Sequence, residues 1–231
     1  MLSKPNRLLW SNCIRLASGL CGLFLSSYLS SMFVFMETDK EFCRSNLLMS
    51  RQDTAVVVVD VQEKLVPAVL NPSHLRWNIR RIIDGAKVLG VPILATEQYP
   101  EKLGPTVPEL AAELSDVPAK LSFSCCGSEQ FVDQLRKADV YKVLVCGIET
   151  HVCVMQTVFD LLTAGYQVYV PTDGVSSRFA HDRDTALRRM EVSGVTLTTT
   201  EAALFEWCQA AGTPEFKQIS ALIREAAPQD Q

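Results

Sequence analysis

Three side chains that could form a nucleophilic catalyst occur in or after three separate apolar segments. Asp60 closes a β-branched run that begins at residue 55, Lys120 lies in a short apolar stretch, and Cys153 follows the run at residues 143–146. Brought together, a carboxylate, an ammonium and a thiol can attack carbon, because the acid accepts the thiol proton and the cation stabilises the thiolate. The chemistry to expect is therefore thiol-based displacement.

The position of Cys153 in its segment favours this role. The apolar run ends at Cys146 and Gly147, and a helical pattern begins two or three residues later. Cys153 thus falls in the first turn of a helix, where backbone N–H groups have no intrahelical partner and the helix dipole favours negative charge. Both effects predict a stabilised thiolate.

Each of these residues also has a simpler interpretation. A free cysteine is usually a small buried hydrophobe, an aspartate after a strand can cap a turn, and a strand lysine can face water at a sheet edge. The presence of all three favours catalysis. His151 is two residues from the thiol, but residues two apart on a helix face different directions, so we predict a structural or rim role for it.

The elements that must position these residues alternate along the chain. Apolar runs predict six strands, at residues 55–61, 91–96, 119–122, 140–146, 167–171 and 195–198. Helical patterns lie between residues 71 and 90, and at residues 128–138, 150–165, 181–190, 201–210 and 214–226. This alternation predicts an α/β fold, a three-layer sandwich in which a six-stranded parallel sheet carries helices on both faces, Rossmann-like. Ligands in such folds bind beyond the carboxyl ends of the strands.

Composition restricts the classes of function. The 231 residues carry a formal net charge of −4, and residues 51–231 alone hold 17 Lys/Arg against 23 Asp/Glu. An acidic body argues against nucleic-acid binding, because phosphate contacts need a basic surface. Eight cysteines without regular spacing predict free thiols in a reducing compartment, which favours a cytoplasmic location.

Residues 1–50 differ from the rest and are interpreted as an extension before a single domain at residues 51–231. The stretch at residues 16–36 is uncharged and long enough to span a bilayer, yet its serines make it only moderately apolar. Three interpretations stay open: a signal or membrane anchor, a mitochondrial presequence, or an upstream segment absent from a working protein that starts at Met36 or Met49. A membrane is a partner only in the first, and a mitochondrial location follows from the second.

Three ordered motifs resemble those of a known family. They are Asp-Val-Gln-Glu-Lys at residues 60–64, the proline-rich loop at residues 96–110, and Cys-Gly-Ile-Glu-Thr-His-Val-Cys at residues 146–153. They look like the isochorismatase-like cysteine hydrolases, and the loop in particular resembles the eukaryotic isochorismatase domain-containing proteins. The similarity runs from about Thr54 to the C-terminus.

The resemblance implies a set of site residues. Asp60, Lys120 and Cys153 would form the family's catalytic triad, and the Ile148–Glu149 peptide bond would be cis, which aims the Glu149 N–H, with that of Cys153, at a developing oxyanion. The substrate would be a small molecule, and the family often forms homo-oligomers. Residues near the strand ends are candidates to line the pocket, namely Gln62, Glu97, Gln98, Tyr99 and Phe123.

Departures from the family pattern refine the expected reaction. Nicotinamidases of this superfamily bind a metal through histidines after the second strand, and residues 96–99 hold none, so we predict no metal and no cofactor. Adjacent Cys125 and Cys126 do not match zinc spacings and are interpreted as incidental. Isochorismatases cleave a vinyl ether and generally lack the cysteine. Cys153 therefore favours hydrolysis of an amide or related C–N bond through a thioester-type intermediate. The alternatives are vinyl ether hydrolysis and a non-catalytic interaction protein that retains the fold.

Overall fold

The computed structural model describes residues 44–229 of the chain. These residues form one compact unit. The uncharged stretch at residues 16–36 and the start at Met36 lie outside the described residues, so their interpretations stay predictions. Within residues 44–229, no helix is long and apolar enough to cross a membrane.

One parallel sheet organises this unit. Its strands are β1 (Thr54–Val59), β2 (Ile93–Gln98), β3 (Ala119–Lys120), β4 (Lys142–Ile148), β5 (Gln167–Pro171), β6 (Val175–Ser176) and β7 (Thr196–Thr198). The order across the sheet is β3-β2-β1-β4-β5-β7, and every pair is parallel. The predicted α/β sandwich is confirmed, with six strands in the main order.

Helices cover both faces of this sheet. They are α1 (Pro72–Leu89), α2 (Pro100–Leu103), α3 (Pro108–Ala111), α4 (Glu129–Lys137), α5 (Met155–Thr163), α6 (Ala180–Val192), α7 (Thr200–Cys208) and α8 (Pro214–Ile223). Helices α1, α7 and α8 pack on one face, whereas α4, α5 and α6 pack on the opposite face. Alternate residues of the strands point to the two cores, so β1 and β4 are buried throughout.

The structure departs from the predicted elements in two places. A seventh strand, β6, pairs with Gly147 and Ile148 after β5 has left the side of β4. Val175 and Ser176 do not form an apolar run, which is why the sequence does not predict this strand. The proline-rich segment after β2 contains two short helices that the sequence does not predict, α2 and α3, each begun by a proline at its first position.

Residues 44–50 pack with this unit, although the sequence grouped them with the extension. Met49 is fully buried in the core, and the Arg44 guanidinium donates to the backbone carbonyl of Glu206 at 2.7 Å. Where the working protein starts stays a prediction.

Close approach of β1 and β4 requires glycine at residue 147. Gly147 has φ 120°, and a Cβ atom there would lie 2.1 Å from the carbonyl oxygen of Val59. We expect Gly147→Ala to lower the free energy of unfolding by about 2–4 kcal/mol, from backbone strain together with overpacking. Urea unfolding measures the loss. Gly165→Ala is the control, because Gly165 also has a positive φ, of 93°, but a Cβ atom added there would meet no atom within 4 Å. Equal losses in both variants would contradict a role for the contact with Val59.

Candidate active site

Three of the residues singled out by the sequence meet at the carboxyl edge of the sheet. Asp60 follows β1, Lys120 ends β3, and Cys153 lies in a π-helical turn, Thr150–Val154, between β4 and α5. All three are buried. The Asp60 carboxylate accepts a hydrogen bond from the Lys120 ammonium at 2.7 Å, and it lies close enough to the Cys153 thiol for each group to shift the pKa of the other. The carboxylate therefore lies between the cation and the thiol.

The backbone at Asp60 turns away from the strand. Its φ is 53°, in the left-handed region that few residues besides glycine, asparagine and aspartate enter readily. The turn directs the carboxylate over the sheet edge, where the Thr96 hydroxyl donates to Asp60 Oδ1 at 2.8 Å. In return the Asp60 N–H donates to the Thr96 carbonyl at 3.2 Å. Thr96 thus fixes the aspartate from the neighbouring strand.

The Lys120 ammonium is fully engaged by protein acceptors. Although β3 is the edge strand, the lysine side chain is only 1% exposed, so it does not face water. Its three N–H groups face four acceptors, namely Asp60 Oδ2 at 2.7 Å, Gln98 Oε1 at 2.9 Å, and the carbonyls of Phe123 at 2.9 Å and Ser122 at 3.2 Å. What Lys120 can supply is a fixed positive charge beside Asp60.

The electrostatics of the thiol differ from the sequence-based expectation. Burial raises the pKa of Cys153 well above its usual value, the negative charge of Asp60 raises it further, and the positive charge of Lys120 lowers it. Burial likewise raises the pKa of Asp60, against the lowering effect of Lys120. The raised pKa of Cys153 favours a thiol over a thiolate in the resting site. It opposes the thiolate stabilisation predicted from the helix start, because desolvation of the buried sulfur outweighs the effect of the helix terminus.

Two further residues that the sequence did not single out contact the site. Thr96 Oγ1 donates to Asp60 and also lies 3.3 Å from the Cys125 sulfur. The Thr157 hydroxyl donates to the Cys153 carbonyl at 2.7 Å and accepts from the Cys125 N–H at 2.9 Å. Cys125, interpreted as incidental, is therefore a buried neighbour of the triad. The signal for Thr96 was its place at the carboxyl end of β2, whereas no sequence signal indicated Thr157.

Three of the five pocket candidates use their side chains inside the protein. Gln62 is fully buried and holds the backbone of Gln98, whose own amide contacts Lys120. Glu97 accepts from the N–H and hydroxyl of Thr106 at 2.6 and 2.8 Å, which ties the proline-rich loop to β2. Their assignment to a substrate pocket stays a prediction, but these contacts are those of supporting residues.

The remaining two pocket candidates are exposed aromatic side chains. Tyr99 is 41% exposed and Phe123 is 53% exposed. Both are tied to Lys120 through the backbone, since the Tyr99 N–H donates to the Lys120 carbonyl and the Phe123 carbonyl accepts from the ammonium, each at 2.9 Å. Their assignment to a substrate pocket stays a prediction.

The segment that precedes Cys153 is held by contacts with β6 and with the residues that follow β6. The Ile148–Glu149 peptide bond is cis. The Glu149 carboxylate accepts from both the backbone N–H and the guanidinium of Arg178 at 3.1 Å. His151 Nδ1 lies 3.0 Å from the Ser177 hydroxyl, a contact of the structural kind predicted for this histidine. Arg178 had no sequence signal.

No metal-binding cluster is present in the part of the chain that the structure describes. Residues 44–229 contain no group of three or more His, Cys, Asp or Glu side chains arranged to hold a metal ion. Metal independence of the reaction stays a prediction.

Comparisons with known proteins place this arrangement in context. The model of the Isochorismatase domain matches residues 54–202. Isochorismatase domain-containing protein 2 of Danio rerio is 39% identical over 181 residues, which span 78% of this chain and 91% of that protein.

Solved structures show the same fold. A structure named MAR1 ribonuclease, from Caenorhabditis elegans, superposes with a TM-score of 0.74 at 39% identity, covering 79% of this chain and 95% of its own. YcaC from Escherichia coli, described as an octameric hydrolase of unknown specificity, gives a TM-score of 0.72 at 24% identity and covers 78% of this chain and 92% of its own. At that identity the likeness concerns the fold alone.

Proposed function

Because the chain belongs to the isochorismatase family, we propose that it is a thiol-dependent hydrolase that cleaves an amide or related C–N bond of a small molecule. The observation that carries the proposal is the double contact of Asp60 with the Lys120 ammonium and the Cys153 thiol. A buried carboxylate beside a thiol is the arrangement that a general base and its nucleophile require.

In the proposed first half-reaction, Asp60 takes the thiol proton as the Cys153 sulfur forms a bond to the carbonyl carbon. The carbonyl oxygen gains the electron pair, and the backbone N–H groups of Glu149 and Cys153 are the proposed donors to it. Asp60 then gives its proton to the departing nitrogen. The C–N bond breaks, an amine leaves, and the acyl group stays on sulfur as a thioester.

In the second half-reaction Asp60 acts as the base again. It takes a proton from water as the water oxygen adds to the thioester carbon, and the C–S bond then breaks. The carboxylic acid product leaves, and the proton returns to the Cys153 sulfur. The raised pKa of Asp60 supports both steps, because a base whose pKa lies nearer the working pH transfers protons more effectively. Throughout, Lys120 keeps a positive charge beside the reacting groups.

The test is mass spectrometry of the intact protein after incubation with a panel of small amides. An acyl adduct on Cys153 is expected, and Cys153→Ala should lose both the adduct and turnover while it keeps the fold, as checked by circular dichroism. Cys126→Ala is the matched control, since Cys126 is partly buried and is not a triad member. Its backbone N–H, which the substitution retains, donates to the Ser124 hydroxyl. Cleavage of a vinyl ether added to the panel that persists in Cys153→Ala would point to vinyl ether hydrolysis without a covalent intermediate. An unreactive protein with every amide would favour a non-catalytic role.

The name of the Caenorhabditis elegans relative introduces ribonuclease activity as a competing function. The excess of six acidic over basic residues in residues 51–231 opposes it, because RNA binding needs positive charge. An RNA substrate therefore belongs in the same panel. RNA cleavage that vanishes in Cys153→Ala, with no amide turned over, would replace the amide proposal.

We also propose that the chain assembles into a homo-oligomer. The support is the octamer described for the Escherichia coli neighbour together with the exposed apolar side chains Leu121 and Phe123 beside the site. Light scattering coupled to size-exclusion chromatography tests this, and a monomer at micromolar concentration would contradict it.

A further inference from the structure

The side-chain amide of Gln98 makes one hydrogen bond to Lys120 and one to the residue after it. Its Oε1 atom accepts from the Lys120 ammonium at 2.9 Å, and its Nε2 atom donates to the Leu121 carbonyl at 2.9 Å. The two residues after Leu121 supply the remaining carbonyl acceptors of the ammonium. Gln98 therefore holds the cation directly and also holds the loop that surrounds it.

Gln98 is held in turn by the amide of Gln62. Strand β1 pairs with β2 only as far as Thr96 and then leaves the sheet, so the backbone of Gln98 has no strand on that side. The Gln62 side chain takes this place. Its Oε1 accepts from the Gln98 N–H at 2.8 Å, and its Nε2 donates to the carbonyls of Gln98 at 3.0 Å and Gly104 at 2.6 Å. One side-chain amide thus imitates the peptide group of a neighbouring strand.

We propose that Gln98 is a positioning residue that holds the Lys120 ammonium against Asp60, and that Gln62 fixes Gln98 for this task. The inference rests on the proposed function, since it assigns a role in the same triad. Gln98 acts through Lys120: without its amide, the ammonium loses one acceptor and the loop that provides two others loses its tie to β2. The cation would then spend less time beside Asp60.

Amine acetylation of the native protein, measured by mass spectrometry, reports directly on how firmly the Lys120 ammonium is held. Lys120 and Lys142 form a matched pair, since each side chain is 1% exposed. The Lys142 ammonium lies at the start of β4 and donates to the Leu48 carbonyl at 2.7 Å and to Asp53 at 2.9 Å. Both lysines should be protected in the unchanged protein. In Gln98→Met, we expect acetylation of Lys120 to rise about tenfold, the factor that corresponds to a lost hydrogen bond to a charged group, while Lys142 stays protected.

Three further variants define the mechanism of protection. Gln98→Glu keeps an acceptor for the ammonium and loses the donor to the Leu121 carbonyl, so Lys120 should stay protected if the direct contact with the ammonium dominates. Gln62→Met should expose Lys120 as Gln98→Met does. Glu97→Met releases the loop at Thr106 without touching the ammonium, and it should leave Lys120 protected.

Two outcomes would overturn the inference. Unchanged protection of Lys120 in Gln98→Met would show that the amide does not hold the lysine, and an equal rise at Lys142 would show general loosening. The labelling needs no substrate. Its failure is therefore distinct from failure of the proposed hydrolase function, which the Cys153→Ala variant tests.

Discussion

Replacing Lys120 by methionine is expected to lower the free energy of unfolding by about 3–5 kcal/mol near pH 8. Methionine retains most of the apolar stem but leaves the fully buried Asp60 carboxylate without its counter-charge. It also deprives Gln98 Oε1 and the carbonyls of Ser122 and Phe123 of their donor. An unpaired buried charge is among the costliest changes that a single substitution can introduce.

The loss should depend on pH with a definite sign. Burial already raises the pKa of Asp60 against the opposing effect of Lys120, so removing the lysine raises this pKa further. The folded variant then keeps a proton that the unfolded chain, with the ordinary carboxyl pKa, has released. Because the native state binds more protons, its stability falls as the pH rises. Urea unfolding should therefore show a small loss near pH 5 and a large loss near pH 8.

The double variant Lys120→Met/Asp60→Asn supplies the control for this prediction. It removes both charges, so it should recover most of the stability lost by Lys120→Met and lose the pH dependence. If the single and double variants were equally unstable at both pH values, the two charges would not be coupled and the prediction would fail.

Replacing Asp60 by asparagine is expected to make Cys153 more reactive toward iodoacetamide while it abolishes turnover. The negative charge of Asp60 raises the pKa of the thiol, whereas Lys120 lowers it. Asparagine removes the first effect and leaves the second, so the thiolate fraction rises. Well below the thiol pKa, each unit by which that pKa falls raises the thiolate fraction about tenfold, and alkylation speeds by about threefold because the thiolate also becomes less nucleophilic.

Turnover in Asp60→Asn should fall by a factor of about 10²–10⁴, because the general base is gone. Peptide mass spectrometry near pH 8 measures alkylation of Cys153, with Cys146 as the internal reference. Cys146 is fully buried, and burial raises its pKa to about 12. Slower alkylation of Cys153 in this variant would contradict the assigned role of Asp60, and faster alkylation of Cys146 would indicate unfolding instead.

The positions of the triad residues could be predicted because each residue type is chemically distinct and each lies near the carboxyl end of a strand. In a parallel sheet those ends meet at one edge, so the pattern of elements alone brings Asp60, Lys120 and Cys153 near one another. The parallel sheet follows from the same regular alternation of strands and helices. Among the strands in residues 44–229, β6 was not predicted, because Val175 and Ser176 do not form an apolar run.

The supporting contacts could not be predicted, for a physical reason. The Gln62 side chain bonds to the backbone of Gln98, which is 36 residues away in the sequence. The Cys125 sulfur contacts the Thr96 hydroxyl across a similar gap in the sequence. Neither contact leaves a period or a spacing in the sequence. The charge state of Cys153 was missed for a related reason. A helix start can be inferred locally, whereas desolvation depends on everything packed around the thiol.

The left-handed backbone at Asp60 limits which amino acids evolution can place there. At φ 53° glycine, asparagine, aspartate and histidine fit with little strain, whereas glutamate fits less readily. Among these residues aspartate and histidine can exchange a proton near neutral pH, and only aspartate also supplies the negative charge that the Lys120 ammonium contacts. The shape of the main chain at this one position thus narrows the identity of the proposed base, independently of any selection exerted by a substrate.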